Sequence, residues 1–233
     1  MILLATALAC LTIAIAALGA DAPGAGDGPG ILVFGGTRGV GLETVRLLRA
    51  QGQAVTVLVR PTSDTADLKE TGATLVTGDA LDQPSVDAAF ASGAFRAVVS
   101  TLSGKGKDGR YADSDGNINA MDAALAAGVQ RFVLVSSVGV GDSKDALPWI
   151  ARVMLKSFLA QKGLAEDHLV ASSLNYTIIR PGNLNNDEAT DSAVLTEDRS
   201  AGGSISRRDV ARLLVGAIDD PATYRQVYAA IDR

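Results

Sequence analysis

The sequence predicts a single α/β domain built on a doubly wound parallel sheet. Two observations carry the prediction: short apolar runs alternate with helical patterns, and most of these runs are near-continuous Val, Ile and Leu. Such strands are typical of a parallel sheet covered by helices on both faces. Right-handed crossovers then place a ligand crevice at the carboxyl ends of the strands. The length of 233 residues suits one such domain with a full-sized core.

The predicted elements follow from spacing and composition. Strands are short apolar runs between turn residues, and helices repeat apolar residues every three or four positions. In chain order the predicted strands are Ile31–Phe34, Val55–Val59, Thr74–Val76, Ala97–Ser100, Arg131–Val135, Tyr176–Ile179 and Gln226–Ile231. The predicted helices are Leu42–Ala50, Ser85–Phe90, Asn117–Ala127, a long one from about Pro148 to Ser172, and Arg208–Ile218.

The N-terminal segment is predicted to lie outside this domain. Residues 1–20 carry no charged side chain, which is typical of a signal peptide or an N-terminal membrane anchor. Residues 21–29 are rich in Gly and Pro and are expected to be a flexible linker, so that the folded domain covers 30–233. We expect attachment to a membrane, or export, through residues 1–20, and a cytoplasmic protein if that leader is not used. The only cysteine, Cys10, lies in this segment, so no intrachain disulfide can form.

A glycine cluster follows the first predicted strand and opens the first helix. In this position a helix N-terminus, with unpaired N–H groups and the positive end of its dipole, faces a pyrophosphate. Glycine is needed where a Cβ would block the approach of backbone to phosphate. The arrangement predicts a Rossmann-type dinucleotide site, with a tight turn that binds nothing as the alternative. The predicted contacts in this turn are Gly35, Gly36, Thr37, Arg38, Gly39, Val40 and Gly41.

The end of the second strand indicates which dinucleotide binds. An NAD-preferring site usually carries Asp or Glu here to accept the ribose 2′-hydroxyl. This chain has Arg60, nineteen residues after Gly41, and Arg38 inside the turn. Planar, permanently charged guanidinium groups suit a 2′-phosphate, so NADP(H) is favoured, with NAD(H) as the alternative. The plainer interpretation is that Arg60 only ends a strand and Arg38 points to solvent.

Further cofactor contacts are expected where the other strands end. Asp79 could accept a hydrogen bond from the adenine amino group, small residues after the fourth strand would let the cofactor lie close, and the nicotinamide end would lie after the sixth strand. These predicted contacts are Asp79, Ala80, Ser100, Thr101, Leu102, Ser136, Pro181, Gly182, Asn183 and Leu184. The partner implied is a small-molecule substrate. A net charge of −5 argues against a general nucleic-acid binder, and no metal-ligand spacing is visible.

Several motifs make the chain resemble the short-chain dehydrogenase/reductase superfamily. The resemblance is to its atypical branch, which holds NmrA-like and biliverdin/flavin-reductase-like NAD(P)H-binding proteins, and it covers about residues 30–232. It implies a Rossmann fold that binds NAD(P)H. In the family's Gly-x-x-Gly-x-x-Gly pattern, Gly35 and Gly41 match the outer positions and Arg38 takes the middle one. The motifs are Val33–Gly41, Val57–Arg60, Gly78-Asp79, Val135–Ser137, Lys162–Glu166, Asn175–Gly182 and Ile205–Ala211.

The resemblance also shows a departure at the catalytic position. Typical members carry Tyr-x-x-x-Lys, in which the phenol passes a proton to the substrate. Here Lys162 fits the lysine position, where it is expected to hold the nicotinamide ribose, but Phe158 occupies the tyrosine position. A proton would then come from water or from Ser136 or Ser137. The catalytic candidates are therefore Lys162, Ser136 and Ser137.

The sequence predicts an NADP(H)-dependent oxidoreductase acting on a small quinone, flavin or carbonyl compound. The alternative is a non-catalytic NADP(H)-binding sensor or docking protein, which Phe158 favours. Epimerase or dehydratase chemistry on a nucleotide sugar is a third option, disfavoured because it usually relies on the missing tyrosine. The loop Gly104–Gly116 is expected either to close over a substrate as a mobile lid or to be a solvated loop.

Overall fold

An eight-stranded sheet lies at the centre of the computed structural model, which describes residues 28–232. The sheet order is β3-β2-β1-β4-β5-β6-β10-β8, and every neighbouring pair is parallel except the antiparallel pair of β10 and β8. Two further strands, β7 and β9, form a small parallel ladder of their own. The strands are β1 Gly30–Phe34, β2 Val55–Val59, β3 Thr74–Thr77, β4 Phe95–Ser100, β5 Arg131–Val135, β6 Asn175–Pro181, β7 Asn183–Asn185, β8 Val194–Thr196, β9 Ser204–Ser206 and β10 Gln226–Ile231.

Helices cover both faces of the sheet, which gives three layers. The helices are α1 Gly39–Ala50, α2 Ala66–Glu70, α3 Gln83–Ala91, α4 Asn117–Ala126, α5 Trp149–Met154, α6 Lys156–Ala171 and α7 Arg207–Ile218. Short 3₁₀ turns occur at Gly141–Ala146 and Pro221–Thr223, and a π turn at Ala112–Gly116 leads directly into α4. The doubly wound, mostly parallel α/β architecture predicted from the sequence is confirmed.

Strand β1 shows how alternation builds a core on each face of the sheet. All five of its residues are buried. Ile31 and Val33 belong to the core that α1 and α7 cover. Leu32 and Phe34 belong to the opposite core, which α3, α4 and α6 cover. A strand buried on both faces has a continuous apolar sequence, and this pattern is what predicted β1.

The prediction of one long helix from 148 to 172 is wrong in one respect, because the segment forms two helices. α5 ends at Met154, and Leu155 takes φ −94° and ψ 4° before α6 begins. No proline or glycine lies at the break. Leu155 and Ala151 both line the cavity described below, so the break lies at the cavity wall.

A buried ion pair joins β6 to α6 and accounts for two of the sequence motifs. Arg180 donates two hydrogen bonds to the Glu166 carboxylate, at 3.0 Å from Nε and 2.6 Å from Nη2. A third bond runs from Arg180 to Asp142, which also accepts from Arg199. Bidentate pairing of this kind fixes geometry as well as charge, so Glu166 and Arg180 are framework residues.

The predictions for the N-terminus lie outside the described residues. The anchor or signal peptide at 1–20, Cys10 and most of the linker belong to this part of the chain. Between residues 28 and 232 the structure has no helix that is both long and apolar enough to cross a membrane.

Candidate functional site

A cavity of about 800 Å³ opens at the carboxyl ends of the parallel strands. This is the size expected of a pocket for a small molecule or cofactor. Residues that follow β1, β2, β3, β4, β5 and β6 all reach it, because parallel strands end at one edge of the sheet. Its lining includes Gly35, Thr37, Arg38, Gly39, Val40, Gly41, Arg60, Asp79, Ala80, Thr101, Leu102, Ser136, Ser137, Lys162, Pro181, Gly182, Asn183 and Leu184.

Two predicted residues do not line the cavity, and side-chain direction explains both. Gly36 faces the core, where an added Cβ would lie 2.7 Å from Val57 Cγ1. A glycine is required at this position because the strands and α1 pack closely around it. Ser100 is fully buried, and its Oγ donates to Asn117 Oδ1 at 2.6 Å. It therefore holds the start of α4 rather than facing a ligand.

The glycine turn is packed too closely to accept a larger residue at Gly41. A Cβ on Gly41 would lie 2.2 Å from the Gly35 carbonyl oxygen and 2.6 Å from Thr101 Oγ1. Gly35 itself has φ +81°, in the left-handed region that favours glycine. Thr101 Oγ1 donates to the Gly35 carbonyl at 3.0 Å and so ties the turn to the end of β4. The start of α1 is therefore packed tightly against the glycine turn and the end of β4, and residues of all three line the cavity.

Cationic side chains surround this end of the cavity. Arg38 and Arg60 both line it and are both exposed. Within residues 28–232, neither guanidinium has a hydrogen-bond or ion-pair partner. Ser63 also lines the cavity here. Its backbone amide donates to the Arg60 carbonyl at 3.0 Å and so closes the turn that follows β2. Uncompensated cations around a helix N-terminus create a positive potential that suits phosphate groups.

Arg207, at the start of α7, is a third arginine at the cavity and was missed from the sequence. Its Cδ and Nε lie 3.6 Å from the position of a Cβ on Gly39, so the side chain runs beside the glycine turn. Its Nη1 donates to Asn186 Oδ1 at 2.8 Å and to the Leu184 carbonyl at 3.4 Å. No carboxylate in the described part of the chain pairs with it. Only the Ile205–Ala211 motif pointed to this region, and it carries no mark of which residue would face the cleft.

Asp79 is held in place by the turn after β3. Its Oδ1 accepts a hydrogen bond from the Leu81 amide at 3.0 Å. Gly78, just before it, has no room for a side chain, since a Cβ would lie 2.8 Å from Ser85 Cβ. The carboxylate therefore lines the cavity in a fixed orientation, where it could accept a hydrogen bond from a ligand amino group.

A buried ion pair occupies the opposite end of the cavity. Lys162 Nζ lies 3.1 Å from Asp113 Oδ1, with only 7% and 2% of the two side chains exposed. The ammonium also donates to the Val135 carbonyl at 3.3 Å, and the Gly104 amide donates to Asp113 Oδ2 at 2.7 Å. Lys162 was predicted from the sequence as a site residue and lines the cavity, whereas Asp113 was not predicted. A carboxylate in a loop with other acidic residues gives no sign of which one turns inward.

Phe158 lines the cavity beside this pair. Its ring lies 5.2 Å from Lys162 Nζ, as expected for residues four apart on a helix. The cation over the ring face is a favourable contact, but the ring offers no proton. Lys162 is thus buried next to an aromatic ring that carries no hydroxyl group.

Ser136 and Ser137 differ in what their hydroxyl groups do. Ser137 Oγ donates to the Val138 carbonyl at 3.0 Å, a local contact within its own turn. Ser136 Oγ is buried and has no hydrogen-bond partner among the described residues. A buried hydroxyl without a partner costs free energy unless a ligand or water satisfies it. Because Ser136 lines the cavity, this unsatisfied atom fits a bound polar group.

The loop predicted as a lid is a folded hairpin at its tip. Lys105 and Tyr111 form an antiparallel bridge, and the Gly106 amide donates to the Arg110 carbonyl at 2.7 Å. Arg110 Nη1 in turn donates to the Leu81 carbonyl at 2.6 Å. The Arg110 bond attaches the loop to the turn after β3, and the Ala112 amide, which donates to the Gly104 carbonyl at 2.8 Å, attaches the loop to the π turn that carries Asp113. Between residues 28 and 232 there is no group of three His, Cys, Asp or Glu side chains that could hold a metal ion.

Comparison with known proteins agrees with this geometry. A family model described as NAD(P)H-binding matches residues 35–221. The structure of ChuY, an anaerobillin reductase from Escherichia coli O157:H7, is similar with 33% identity and a TM-score of 0.78, over 87% of this chain and 96% of that one.

Two other relatives bear on the fold. YhfK of Bacillus subtilis, an uncharacterized sugar epimerase, is 30% identical over 203 residues, which cover 85% of this chain and 92% of the relative. A short-chain dehydrogenase/reductase from Veillonella parvula, solved in complex with NADP, is 17% identical with a TM-score of 0.70, over 87% of this chain and 94% of that one. At that identity the likeness shows the fold alone.

Proposed function

The chain belongs to the NAD(P)H-binding family, and from this premise we propose that it is an NADP(H)-dependent oxidoreductase that reduces a small quinone, flavin or carbonyl compound. The observation that carries the proposal is the cleft itself. It joins an open glycine turn surrounded by free arginines to a buried Lys162 and an unsatisfied Ser136 hydroxyl. The similarity to an anaerobillin reductase supports a reductase.

The glycine turn is the proposed pyrophosphate site. The amides at the start of α1 are the proposed donors, and the close packing at Gly41 holds this turn in the lining of the cavity. Arg38 within the turn and Arg207 beside it add positive charge. Hydrogen bonds to an ionised group are about twice as strong as neutral ones.

Arg60 and Ser63 support NADP(H) over NAD(H). The 2′-hydroxyl of the adenosine ribose is expected beside the end of β2, where an NAD site presents a carboxylate. Here the end of β2 presents an exposed guanidinium with no partner in residues 28–232, and a serine beside it. A carboxylate would repel a 2′-phosphate, whereas this pair can bind it.

The Lys162 end of the cleft is the proposed reaction site. When bound there, the cofactor supplies a hydride, the two electrons and one hydrogen nucleus that the substrate needs besides a proton. Lys162 is oriented by Asp113 and the Val135 carbonyl, so that its remaining donor capacity faces the cleft. Ser136 Oγ can donate a hydrogen bond to a ligand oxygen, because no residue between 28 and 232 occupies it.

Phe158 limits the substrates that fit the proposal. Without a phenol at this position, protons reach the product from water or through Ser136. A substrate whose reduced form is stable as an anion, such as a quinone or a flavin, needs little acid assistance. A simple aldehyde needs more, because the developing alkoxide is strongly basic.

Phe158 also supports a second candidate, a sensor that binds NADP(H) without turnover. In that case the Lys162–Asp113 pair would only anchor the ribose and order the loop after β4. The two candidates share the cofactor site and differ in whether hydride leaves it.

Titration calorimetry and a turnover assay test both. Wild type is expected to bind NADPH more tightly than NADH. Arg60→Glu should weaken NADPH by at least roughly 10- to 100-fold, because it removes about one charge-assisted bond and adds a carboxylate that repels the 2′-phosphate, with a much smaller effect on NADH. Lys69→Glu is the matched control, since Lys69 is exposed on α2 and does not line the cavity. An equal loss for both cofactors would contradict the 2′-phosphate role.

Oxidation of NADPH is then followed with a panel of quinones, flavins and aldehydes. Turnover of any quinone or flavin in the panel supports the reductase. Saturable binding with no oxidation across the panel would support the sensor instead. The absence of saturable binding of either nucleotide would overturn both.

A further inference from the structure

Helix α5 exposes a cluster of large apolar side chains beside the mouth of the cavity. Five of the seven exposed large apolar side chains between residues 28 and 232 lie at positions 149–155. Trp149, Ile150, Val153 and Met154 are 68%, 55%, 65% and 80% exposed, and α5 has no buried residue. Single exposed apolar residues need no explanation, but a contiguous cluster marks a surface that contacts something else.

The two faces of α5 have different surroundings. Trp149 and Val153 are four residues apart, as are Ile150 and Met154, so the four side chains share the outer face. Ala151 and Leu155 point the other way and line the cavity. The helix is therefore a thin wall with apolar side chains on both sides.

Two exposed lysines lie close to α5 in the chain. Lys144 precedes the helix and Lys156 follows it, and neither has an ion-pair partner in the described chain. Arg152 pairs with Asp145 at 3.2 Å, and Asp142 is taken up by Arg180 and Arg199. The nearby carboxylates are thus neutralised while two lysines are not.

We propose that the outer face of α5 docks onto the surface of an anionic lipid bilayer. Tryptophan and aliphatic side chains on one face with lysines close by are the features of a helix that lies in a membrane interface. Anionic headgroups complement Lys144 and Lys156, each of which adds attraction near such a surface. This surface is separate from the predicted anchor at 1–20, and it does not depend on the proposed hydride transfer.

A second copy of the chain is a weaker candidate for the same surface. Four side chains on a helix of six residues offer on the order of 500 Å², whereas a stable protein interface buries about 800 Å² on each partner. A bilayer needs no matching shape, so a small apolar face with lysines close by is sufficient for it.

Trp149 allows a direct test, because it is the only tryptophan in the chain. The full-length protein is mixed with vesicles of phosphatidylcholine alone or with phosphatidylserine, and tryptophan emission is recorded with and without brominated acyl chains. With anionic vesicles we expect a shift of emission to shorter wavelength and about twofold or greater quenching by brominated lipid. The response to phosphatidylcholine alone should be clearly smaller and should not depend on salt.

Val153→Asp should abolish the quenching, because it places a charge in the middle of the outer face. Val170→Asp is the matched control, since Val170 is an exposed valine on α6 away from this cluster, and it should leave the quenching unchanged. Titration of NADPH into the same samples reports the cofactor site separately, so a failure of docking is distinguishable from a failure of the proposed function.

Three outcomes would overturn the proposal. The protein could float with vesicles while Trp149 emission stays as in buffer, which would assign all membrane binding to the N-terminal segment. Emission could shift with protein concentration in the absence of lipid, which would assign the surface to a second copy. Equal quenching in neutral and anionic vesicles would refute the role of the two lysines.

Discussion

Gly41→Ala is the sharpest perturbation of the proposed cofactor site. Its Cβ would lie 2.2 Å from the Gly35 carbonyl oxygen and 2.6 Å from Thr101 Oγ1. Carbon and oxygen atoms of this kind ordinarily stay at least about 3.3 Å apart, so the glycine turn must retreat by about 1 Å. The obstacle is backbone rather than the flexible end of a side chain, and the turn that moves is the one expected to hold the pyrophosphate.

The retreat should weaken binding more than it weakens the fold. Misplacing one amide donor to a charged phosphate forfeits about 1.5–3 kcal/mol, which corresponds to a rise of roughly 10- to 100-fold in Kd for NADPH and NADH alike. Overpacking costs about 1–3 kcal/mol of unfolding free energy, partly offset by the preference of a helix for alanine.

Gly216→Ala is the matched control, since Gly216 lies inside α7 with no atom within 4 Å of an added Cβ. It should leave Kd unchanged and stabilise the fold by about 0.5–1 kcal/mol. Calorimetry with both nucleotides and urea unfolding measure the two quantities. If the Gly41 variant is folded and binds both nucleotides within about twofold of wild type, the pyrophosphate does not lie on this turn.

Three further predictions concern buried groups. Asp113→Ala should cost about 3–5 kcal/mol in urea unfolding, because it leaves the Lys162 ammonium buried without a counter-ion, and adding Lys162→Met should recover most of that loss; no recovery would mean that the two groups do not interact. Phe158→Tyr should raise the turnover of aldehydes relative to quinones, since it restores a phenol four residues before Lys162; a uniform change across both substrate classes would count against this account of proton supply. Burial raises the pKa of Asp209, but hydrogen bonds from Thr190, Ser206 and Arg212 outweigh it and leave the pKa below 3.8. The stability that this carboxylate contributes is therefore fully present above about pH 3.8, the region of its unfolded pKa. It is lost as the pH falls through the lower pKa that Asp209 has in the folded protein. Asp209→Asn should accordingly have a lower free energy of unfolding than wild type at pH 7. The gap between the two free energies should narrow in urea unfolding measured below about pH 3.8; a gap that does not change with pH would contradict the assignment.

The fold was predictable because its signals are local. Strands buried on both faces leave apolar runs, and the bounds of Val55–Val59, Arg131–Val135 and Gln226–Ile231 agree with the structure. The strands Asn183–Asn185, Val194–Thr196 and Ser204–Ser206 were not predicted, because three residues are too few for an alternation to show. Helix α2 is likewise only five residues long.

Residues of the cavity could be predicted where they belong to a sequence motif. They could not be predicted where their position depends on contacts between distant parts of the chain. The family assignment from the motifs is confirmed, and most predicted residues reach one cavity. Asp113 and Arg207 were missed because their roles depend on long-range packing, of the π turn against α6 and of α7 against α1. Gly36 and Ser100 do not line the cavity, because a motif fixes position along the chain but not which way a residue faces. The choice of NADP(H) over NAD(H), the substrate and the membrane contacts stay predictions.

The position of Arg207 beside the glycine turn links an early part of the chain to a late one. During synthesis the turn leaves the ribosome long before α7 and β10 exist. The nucleotide cleft is therefore complete only after α7 has been made. A nucleotide that bridges the two regions would stabilise the finished domain by mass action but could not assist a truncated or nascent chain. Loss of the C-terminal segment should thus abolish ligand protection even where the first strands have already paired.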